Sequence, residues 1–122
     1  MQTFDSPGLQ ISVTQDPPGT AIVTVVGELD VFGVTSLTQA LAAVEADDEV
    51  EIVTLDLRAL EFMDVAGLRA LWSFQRRCRG AGRPLRVIQP RGRAKRLLEL
   101  VGEAPTGDPR RPPNEPWRTP DA

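Results

Sequence analysis

Three aspartates stand where predicted strands end, and carboxylates in such positions can carry out acid–base or metal chemistry. Asp30 follows one apolar strand, Asp56 closes another, and Asp64 comes shortly after it. Hydrolases and magnesium sites use paired carboxylates of this kind. The chain has no histidine and no tyrosine, which removes the commonest general base and the commonest metal ligand. Since no basic partner or nucleophile stands beside these aspartates in a known motif, we do not expect catalysis from them.

Motifs for other kinds of catalysis are also absent from the sequence. It contains no glycine-rich phosphate loop and no Cys/His metal spacing. The single cysteine, Cys78, falls late on the apolar side of a predicted helix, where a small core residue is expected rather than a reactive thiol. We therefore predict that the protein is not an enzyme and uses no cofactor and no metal ion. The enzyme alternative would require a turnover that an Asp64→Asn change abolishes.

The stretch from Leu60 to Leu68 joins a buried strand to an amphipathic helix. Asp64 is placed to cap that helix, because its carboxylate can accept hydrogen bonds from the first free backbone N–H groups. Gly67, in the first turn, permits another surface to approach the backbone closely. Binding sites of α/β proteins are common where a strand leads into a helix N-terminus, but ordinary structural turns have the same pattern. Spacing alone leaves both interpretations open.

Charge is divided unevenly along the chain. Residues 1–64 carry 12 acidic side chains and one basic one, whereas residues 65–100 carry 10 basic side chains and one acidic one. A basic block can bind nucleic acid, but the pI of about 4.9 and the lack of an aromatic stacking pattern argue against direct nucleic-acid binding. A surface divided in this way suits a protein partner better. The basic residues of the second segment are Arg69, Arg76, Arg77, Arg79, Arg83, Arg86, Arg91, Arg93, Lys95 and Arg96.

The location that the sequence predicts is the cytoplasm. No apolar run approaches the roughly 20 residues that a membrane helix needs, so we expect no membrane span. The first eight residues lack the basic segment and apolar core of a signal peptide. A single cysteine leaves no internal disulfide, which is compatible with a reducing compartment.

Alternating apolar and polar residues predict a strand over residues 9–15 with one face buried. Three further strands are predicted: a more apolar one over residues 20–26, one with β-branched residues at its centre over residues 50–57, and a short one over residues 84–89. The first two are joined by a Pro-Pro-Gly turn that is too short for a crossover, so we expect an antiparallel hairpin. The second and third are joined by a helical segment, which predicts a βαβ unit with parallel pairing.

Apolar residues at helical spacing predict three helices. The first would be capped by Thr35 or Ser36. The second begins within residues 60–68 and ends near Cys78, and the third covers about residues 92–101. The buried stripes are Val34, Leu37, Leu41 and Val44 in the first helix, Leu68, Leu71 and Trp72 with Phe74 at the margin in the second, and Ala94, Leu97, Leu98 and Val101 in the third.

Together these elements predict an α/β fold in which a mixed four-stranded sheet packs with about three helices. Residues 1–8 would be a flexible N-terminus and residues 9–102 a single domain. Residues 103–122 contain six prolines, and Trp117 is their only large apolar side chain. We predict that this Pro-rich tail is disordered.

The order of these elements, together with two short motifs, resembles the STAS domain, in particular the bacterial anti-sigma factor antagonists. The motifs are Gly27-Glu28-Leu29-Asp30 and Phe62-Met63-Asp64-Val65-Ala66-Gly67-Leu68. The segment 93–102 is also similar to the last helix of the family. The resemblance covers about residues 9–102 and implies a STAS-like fold.

The resemblance also implies a partner-switching function. An antagonist of this family binds an anti-sigma factor, often one that is also a serine kinase, and so frees a sigma factor. The kinase phosphorylates a serine in an Asp-Ser-Ser-Gly-Leu motif, which ends the binding, and a phosphatase restores it. A helix N-terminus tolerates a phosphate, whereas the added charge disrupts the contact with the partner. The residues that the resemblance implies for partner binding are Glu28, Asp30, Asp64, Val65, Ala66, Gly67, Leu68 and Arg69.

This sequence departs from the family pattern at the two serines, which correspond to Val65 and Ala66. The phosphorylated position matches Ala66, which has no hydroxyl, so we predict that the usual switch is absent. In the first hypothesis the protein is an antagonist-like binder of a serine-kinase-type anti-sigma factor, controlled by its amount or by its partner. In the second it is a STAS scaffold or a sensor of a small ligand such as a nucleotide or lipid. Nothing in the sequence indicates a homo-oligomer.

Overall fold

The computed structural model describes residues 1–92 and 95–96 of the chain. Six strands and two helices lie in this part. The strands form one sheet in the order β1-β2-β3-β4-β6, with β5 paired separately to β3. The predicted α/β class with a mixed sheet is confirmed. The elements are β1 (Gln2–Thr3), β2 (Leu9–Gln15), β3 (Thr20–Leu29), α1 (Val34–Glu45), β4 (Ile52–Asp56), β5 (Leu60–Met63), α2 (Val65–Gly80) and β6 (Leu85–Ile88).

The centre of the sheet combines a hairpin with parallel crossovers, as the connection lengths predict. Strands β2 and β3 are antiparallel, with Val13 opposite Val23. Strand β4 lies parallel to β3, with Leu55 opposite Val23, because the chain crosses over through α1 before it returns. Strand β6 is parallel to β4 after a second crossover through α2.

One face of the sheet holds the core, and the other is only partly covered. Along β3, Ala21, Val23 and Val25 are fully buried, whereas the residues between them are half-exposed. The buried side chains of α1 and α2 belong to the same apolar cluster as the inward residues of the strands. The alternation over residues 9–15 predicts one buried face for β2, and Leu9, Ile11 and Val13 are buried there.

The predicted number of strands is wrong by two. Strand β1 pairs with β2 through Gln2 and Thr3. Strand β5 lies within residues 60–68 and pairs with the end of β3. Elements of two and four residues are too short to show a period of two. They are extended because a neighbouring strand satisfies their backbone groups.

Two details of the helices also differ from prediction. Gly33, and not Thr35 or Ser36, is the N-cap of α1, and no side chain caps this helix. In α2, Phe74 is fully buried and Trp72 only half-buried. The buried stripe of α2 is centred on residues 71, 74 and 78 at a spacing of three and four, which leaves position 72 on its shoulder.

Two predicted segments fall at the C-terminal end. Of the predicted third helix only Gly92, Lys95 and Arg96 belong to the described residues. The Pro-rich tail lies entirely outside them. Both the third helix and the disorder of the tail stay predictions.

Candidate functional site

The two sequence motifs lie side by side in the sheet. The end of β3 pairs in parallel with β5, so that Glu28 is opposite Phe62 and Leu29 is opposite Met63. The last hydrogen bond of this pairing joins Asp64 N to Leu29 O at 3.1 Å. Both strands end there, and after each strand the chain continues at the same edge of the molecule. The two motifs, which residues 31–61 separate in the sequence, thus form one surface.

Asp64 holds the two segments together. Its Oδ1 accepts a hydrogen bond from Gly67 N at 2.9 Å and so caps α2, as predicted. Its Oδ2 accepts a second hydrogen bond from Val31 N at 3.2 Å. One carboxylate therefore satisfies a free donor of the helix and a free donor of the β3–α1 loop. The cap follows from sequence chemistry, whereas the bond to Val31 is a tertiary contact that spacing does not reveal.

The β3–α1 loop is a tight turn over residues 30–33. Gly33 N donates to Asp30 O at 3.0 Å, which closes the turn. Phe32 N donates to the Oδ1 of Asp30 at 3.0 Å, an Asx-type contact that fixes the first half of the turn. Gly33 packs against the buried Leu9 so closely that a Cβ atom built on it would lie 2.6 Å from Leu9 Cδ2. These contacts restrain the backbone of the turn.

The eight residues predicted for partner binding divide by exposure. Glu28, Val65 and Arg69 are exposed, and Asp30, Asp64 and Ala66 are half-exposed. Gly67 and Leu68 are buried instead. A Cβ atom on Gly67 would lie 2.7 Å from Leu29 Cγ, so this glycine lets α2 approach β3. Six of the eight positions are accessible to a partner, and the two buried ones position the others.

Val31 and Phe32 also belong to this surface, although no sequence motif predicts them there. Their exposed fractions are 59% and 84%, although both are large and apolar. They lie at the two central positions of the 30–33 turn, where polar residues and glycine usually occur. Both directly follow Asp30 and precede the buried stripe of α1. Two large apolar residues at positions where no predicted element requires them are the feature of the sequence that marks this turn.

The three aspartates bind different partners within the fold. Asp56 accepts hydrogen bonds from the Arg58 side chain, with Oδ2 and Nη2 2.8 Å apart. The hydrogen bonds from Arg58 hold the pKa of the Asp56 carboxyl below its usual value, against the opposing effect of partial burial. Asp30 and Asp64 accept backbone hydrogen bonds in the turn and at the helix. Among residues 1–92 and 95–96, no three acidic or cysteine side chains are grouped as a metal ion would require.

Cys78 is a core residue, as its helix position predicts. Its side chain is buried beside α1 and contributes to the apolar cluster. Burial raises the pKa of the Cys78 thiol to about 11. The reactive thiolate is therefore scarce at neutral pH.

A shallow groove runs beside the site between β5 and the chain that leaves β6. Its volume is about 570 Å³. Acidic and basic side chains both border it, and one of the basic ones, Arg58, is already paired with Asp56. The lining residues are Val26, Glu28, Arg58, Ala59, Leu60, Glu61, Phe62, Arg91 and Gly92.

The described residues contain no helix with the length and apolar character needed to cross a membrane.

Comparison with known proteins places this geometry in a family. The family model described as "STAS domain" matches residues 12–106. A search of the curated proteins found no match.

Solved structures give the same result. An anti-sigma factor antagonist from Mycobacterium paratuberculosis is 31% identical, with a TM-score of 0.69, 80% of this chain covered and 82% of the other. The unphosphorylated form of the anti-sigma factor antagonist SpoIIAA is 17% identical, with a TM-score of 0.64, 75% of this chain covered and 80% of the other. The phosphorylated form of the Bacillus cell fate determinant SpoIIAA is 16% identical, with a TM-score of 0.62, 75% of this chain covered and 83% of the other. The chain belongs to the STAS domain family.

Proposed function

We propose that this protein is a non-enzymatic interaction module that binds a serine-kinase-type anti-sigma factor and so regulates sigma-dependent transcription. The observation that carries the proposal is the first turn of α2. There Val65 is 52% exposed and Ala66 half-exposed, directly after the Asp64 cap. The likeness to anti-sigma factor antagonists implies that these positions contact the partner. The family relationship to a 31% identical antagonist supports this kind of function.

We further propose that binding is not ended by phosphorylation at this turn. The position that the resemblance assigns to the phosphorylated serine is Ala66, whose methyl group cannot accept a phosphoryl group. The N-terminus of α2 would otherwise suit a phosphate, because free N–H groups and the helix dipole favour negative charge there. In the proposed mechanism, complex formation is therefore controlled by the amount of this protein or by the state of its partner.

Ala66→Asp is the direct test of the proposed site. Because Ala66 would lie near the centre of the contact, a carboxylate there would have to lose its hydration when the complex forms, so we expect at least a tenfold loss of affinity. The fold should tolerate the change, since acidic residues are favourable in the first turn of a helix. The measurement is titration calorimetry with a purified serine-kinase-type anti-sigma factor from the source organism.

Ala81→Asp is the matched control for this experiment. Ala81 is exposed and lies at the C-cap of α2, about 22 Å along the helix from Ala66 at 1.5 Å per residue. We expect this variant to bind like the wild type. The proposed site is wrong if Ala66→Asp also keeps wild-type affinity, and the proposed function is wrong if the wild type binds no such kinase.

The groove beside β5 favours a second candidate function, a scaffold or sensor that binds a nucleotide or a lipid head group. Arg58 and Arg91 border it and could meet a phosphate, but Glu28 and Glu61 border it too. This mixed charge makes the groove weaker support than the first turn of α2. Saturating ATP, GTP or glycerophosphate should raise the melting temperature if the candidate holds, because a ligand that binds the folded state stabilises it. An unchanged melting temperature with all three would count against it.

A further inference from the structure

Three of the four exposed large apolar side chains among the described residues lie together at the candidate site. They are Val31, Phe32 and Val65, and the fourth is Met1. The hydrogen bond from Val31 N to Asp64 connects the tip of the 30–33 turn to the residue before Val65. We call these three side chains the turn-tip patch. Clustered exposed apolar residues mark interaction surfaces more often than scattered ones do.

Three hydrogen bonds restrain the backbone that presents Val31 and Phe32, although both side chains are exposed. Asp30 supplies two acceptors within the turn, its carbonyl and its carboxylate, and Asp64 supplies a third from outside. A side chain presented by a fixed backbone loses less entropy on binding than one on a mobile loop. Phe32 has two rotatable side-chain bonds and is 84% exposed, so it is preorganised to act as an anchor residue. Aromatic anchors that enter a pocket dominate the energetics of many interfaces.

The surroundings of the patch indicate the chemistry of its partner. Glu28, Asp30 and Asp64 come from the acidic half of the chain and lie at the strand ends beside the turn. Arg69, one turn into α2, is exposed as well, and Arg58 and Arg91 border the groove that Glu28 also lines. An apolar centre with an acidic rim is complementary to an apolar recess with a basic rim.

We propose that Phe32 inserts into an apolar recess, rimmed by Lys or Arg side chains, on the anti-sigma partner. Val31 and Val65 exclude water around it. Asp64 acts as a positioning residue, because its Oδ2 holds the turn against α2 while its Oδ1 caps the helix. This inference rests on the proposed function, since it names how that partner is held.

Phe32→Ala tests the anchor with the same purified serine-kinase-type anti-sigma factor. We expect about a thirtyfold loss of affinity, the size of effect that truncation of an interface anchor produces. The melting temperature should not change, because the ring is exposed and packs on little of the fold. Phe32→Leu is the conservative variant and should restore most of the affinity. Wild-type affinity for Phe32→Ala would overturn the proposal.

Asp64→Asn tests the positioning role. Asparagine caps helices as well as aspartate does, so its Oδ1 can keep the bond to Gly67 N. Its amide group would instead face the Val31 N–H, donor against donor. We expect a several-fold loss of affinity in the wild-type background and almost none in the Phe32→Ala background, which is the mark of two residues acting through one contact. Equal losses in both backgrounds would show that Asp64 does not act through the turn.

The pattern of results separates the two proposals. If Ala66→Asp weakens binding and Phe32→Ala does not, the proposed function stands and the anchor is wrong. If the wild type does not bind the kinase, the proposed function is wrong, and so is the anchor that rests on it.

Sedimentation of the protein alone tests whether a second copy of the chain occupies the patch. A dimer that Phe32→Ala abolishes would make a second copy the occupant of the patch and would overturn the assignment to the anti-sigma partner.

Discussion

Replacing Gly27 by alanine should destabilise the domain by about 3 kcal/mol or more, a large share of the roughly 5–15 kcal/mol that holds a domain folded. Gly27 has a φ of +105°, in the region that favours glycine. A Cβ atom there would also collide with the carbonyl oxygen of Gly8. That carbonyl cannot move freely, because it accepts a hydrogen bond from Glu28 N at 2.9 Å. Backbone strain of about 1–2 kcal/mol therefore adds to overpacking of about 1–3 kcal/mol.

Gly82→Ala is the matched control for Gly27→Ala. Gly82 also has positive φ, +68°, but a Cβ atom on it would meet nothing within 4 Å. It follows the C-cap of α2, where its N–H bonds to Arg79 O. We expect a loss of only about 1–2 kcal/mol, from backbone strain alone. Urea unfolding of both variants measures the difference, and equal losses would show that the close approach to Gly8 has no energetic weight.

Gly67→Ala should cost about 1–3 kcal/mol, the usual range for an inserted methyl group in a packed core. Its Cβ atom would lie 2.7 and 2.9 Å from Leu29 Cγ and Cδ2 and 3.0 Å from Leu29 O. Leu29 is fully buried, so α2 must shift away from β3. That shift would strain the bonds of Asp64 to Gly67 and Val31 and displace the first turn of α2. We therefore expect weaker partner binding in addition to the lower free energy of unfolding.

Gly80→Ala provides the contrasting result in the same helix. Gly80 is exposed in the last turn of α2, its φ is not positive, and a Cβ atom on it would meet nothing within 4 Å. Alanine is the better helix former, so we expect this variant to be more stable by about 0.5–1 kcal/mol. Chemical denaturation of the two variants settles the comparison. Destabilisation of similar size in both would mean that the contact of Gly67 with Leu29 is not what requires glycine.

These expectations assign separate roles to the residues of the two motifs. Gly27 and Gly67 permit the chain to approach its neighbours, Leu29 and Leu68 are buried, and Asp30 and Asp64 accept hydrogen bonds that organise the edge. The residues that remain for direct contact with a partner are Glu28, Val65 and Ala66, together with Arg69, which follows the second motif. A motif that marks a functional surface can therefore consist largely of residues that build the surface.

Much of the candidate site could be predicted because it follows from local chemistry. The Asp64 cap needs only a carboxylate before the first turn of a helix, and the glycine that ends α2 follows from the left-handed position there. Val31 and Phe32 could not be assigned in the same way. Whether an apolar residue after a strand is buried depends on what packs over it, and no local period gives that information.

The sequence by itself determined the main strands, the two described helices, the core face of the sheet and the cap of α2, since each depends on neighbours a few residues apart. Only the tertiary structure decided that Leu60–Met63 is a strand and that Asp64 binds the turn at Val31. The physical reason is the parallel pairing of β5 with the end of β3. That pairing is a long-range contact, and it joins the two motifs into one surface that presents Phe32.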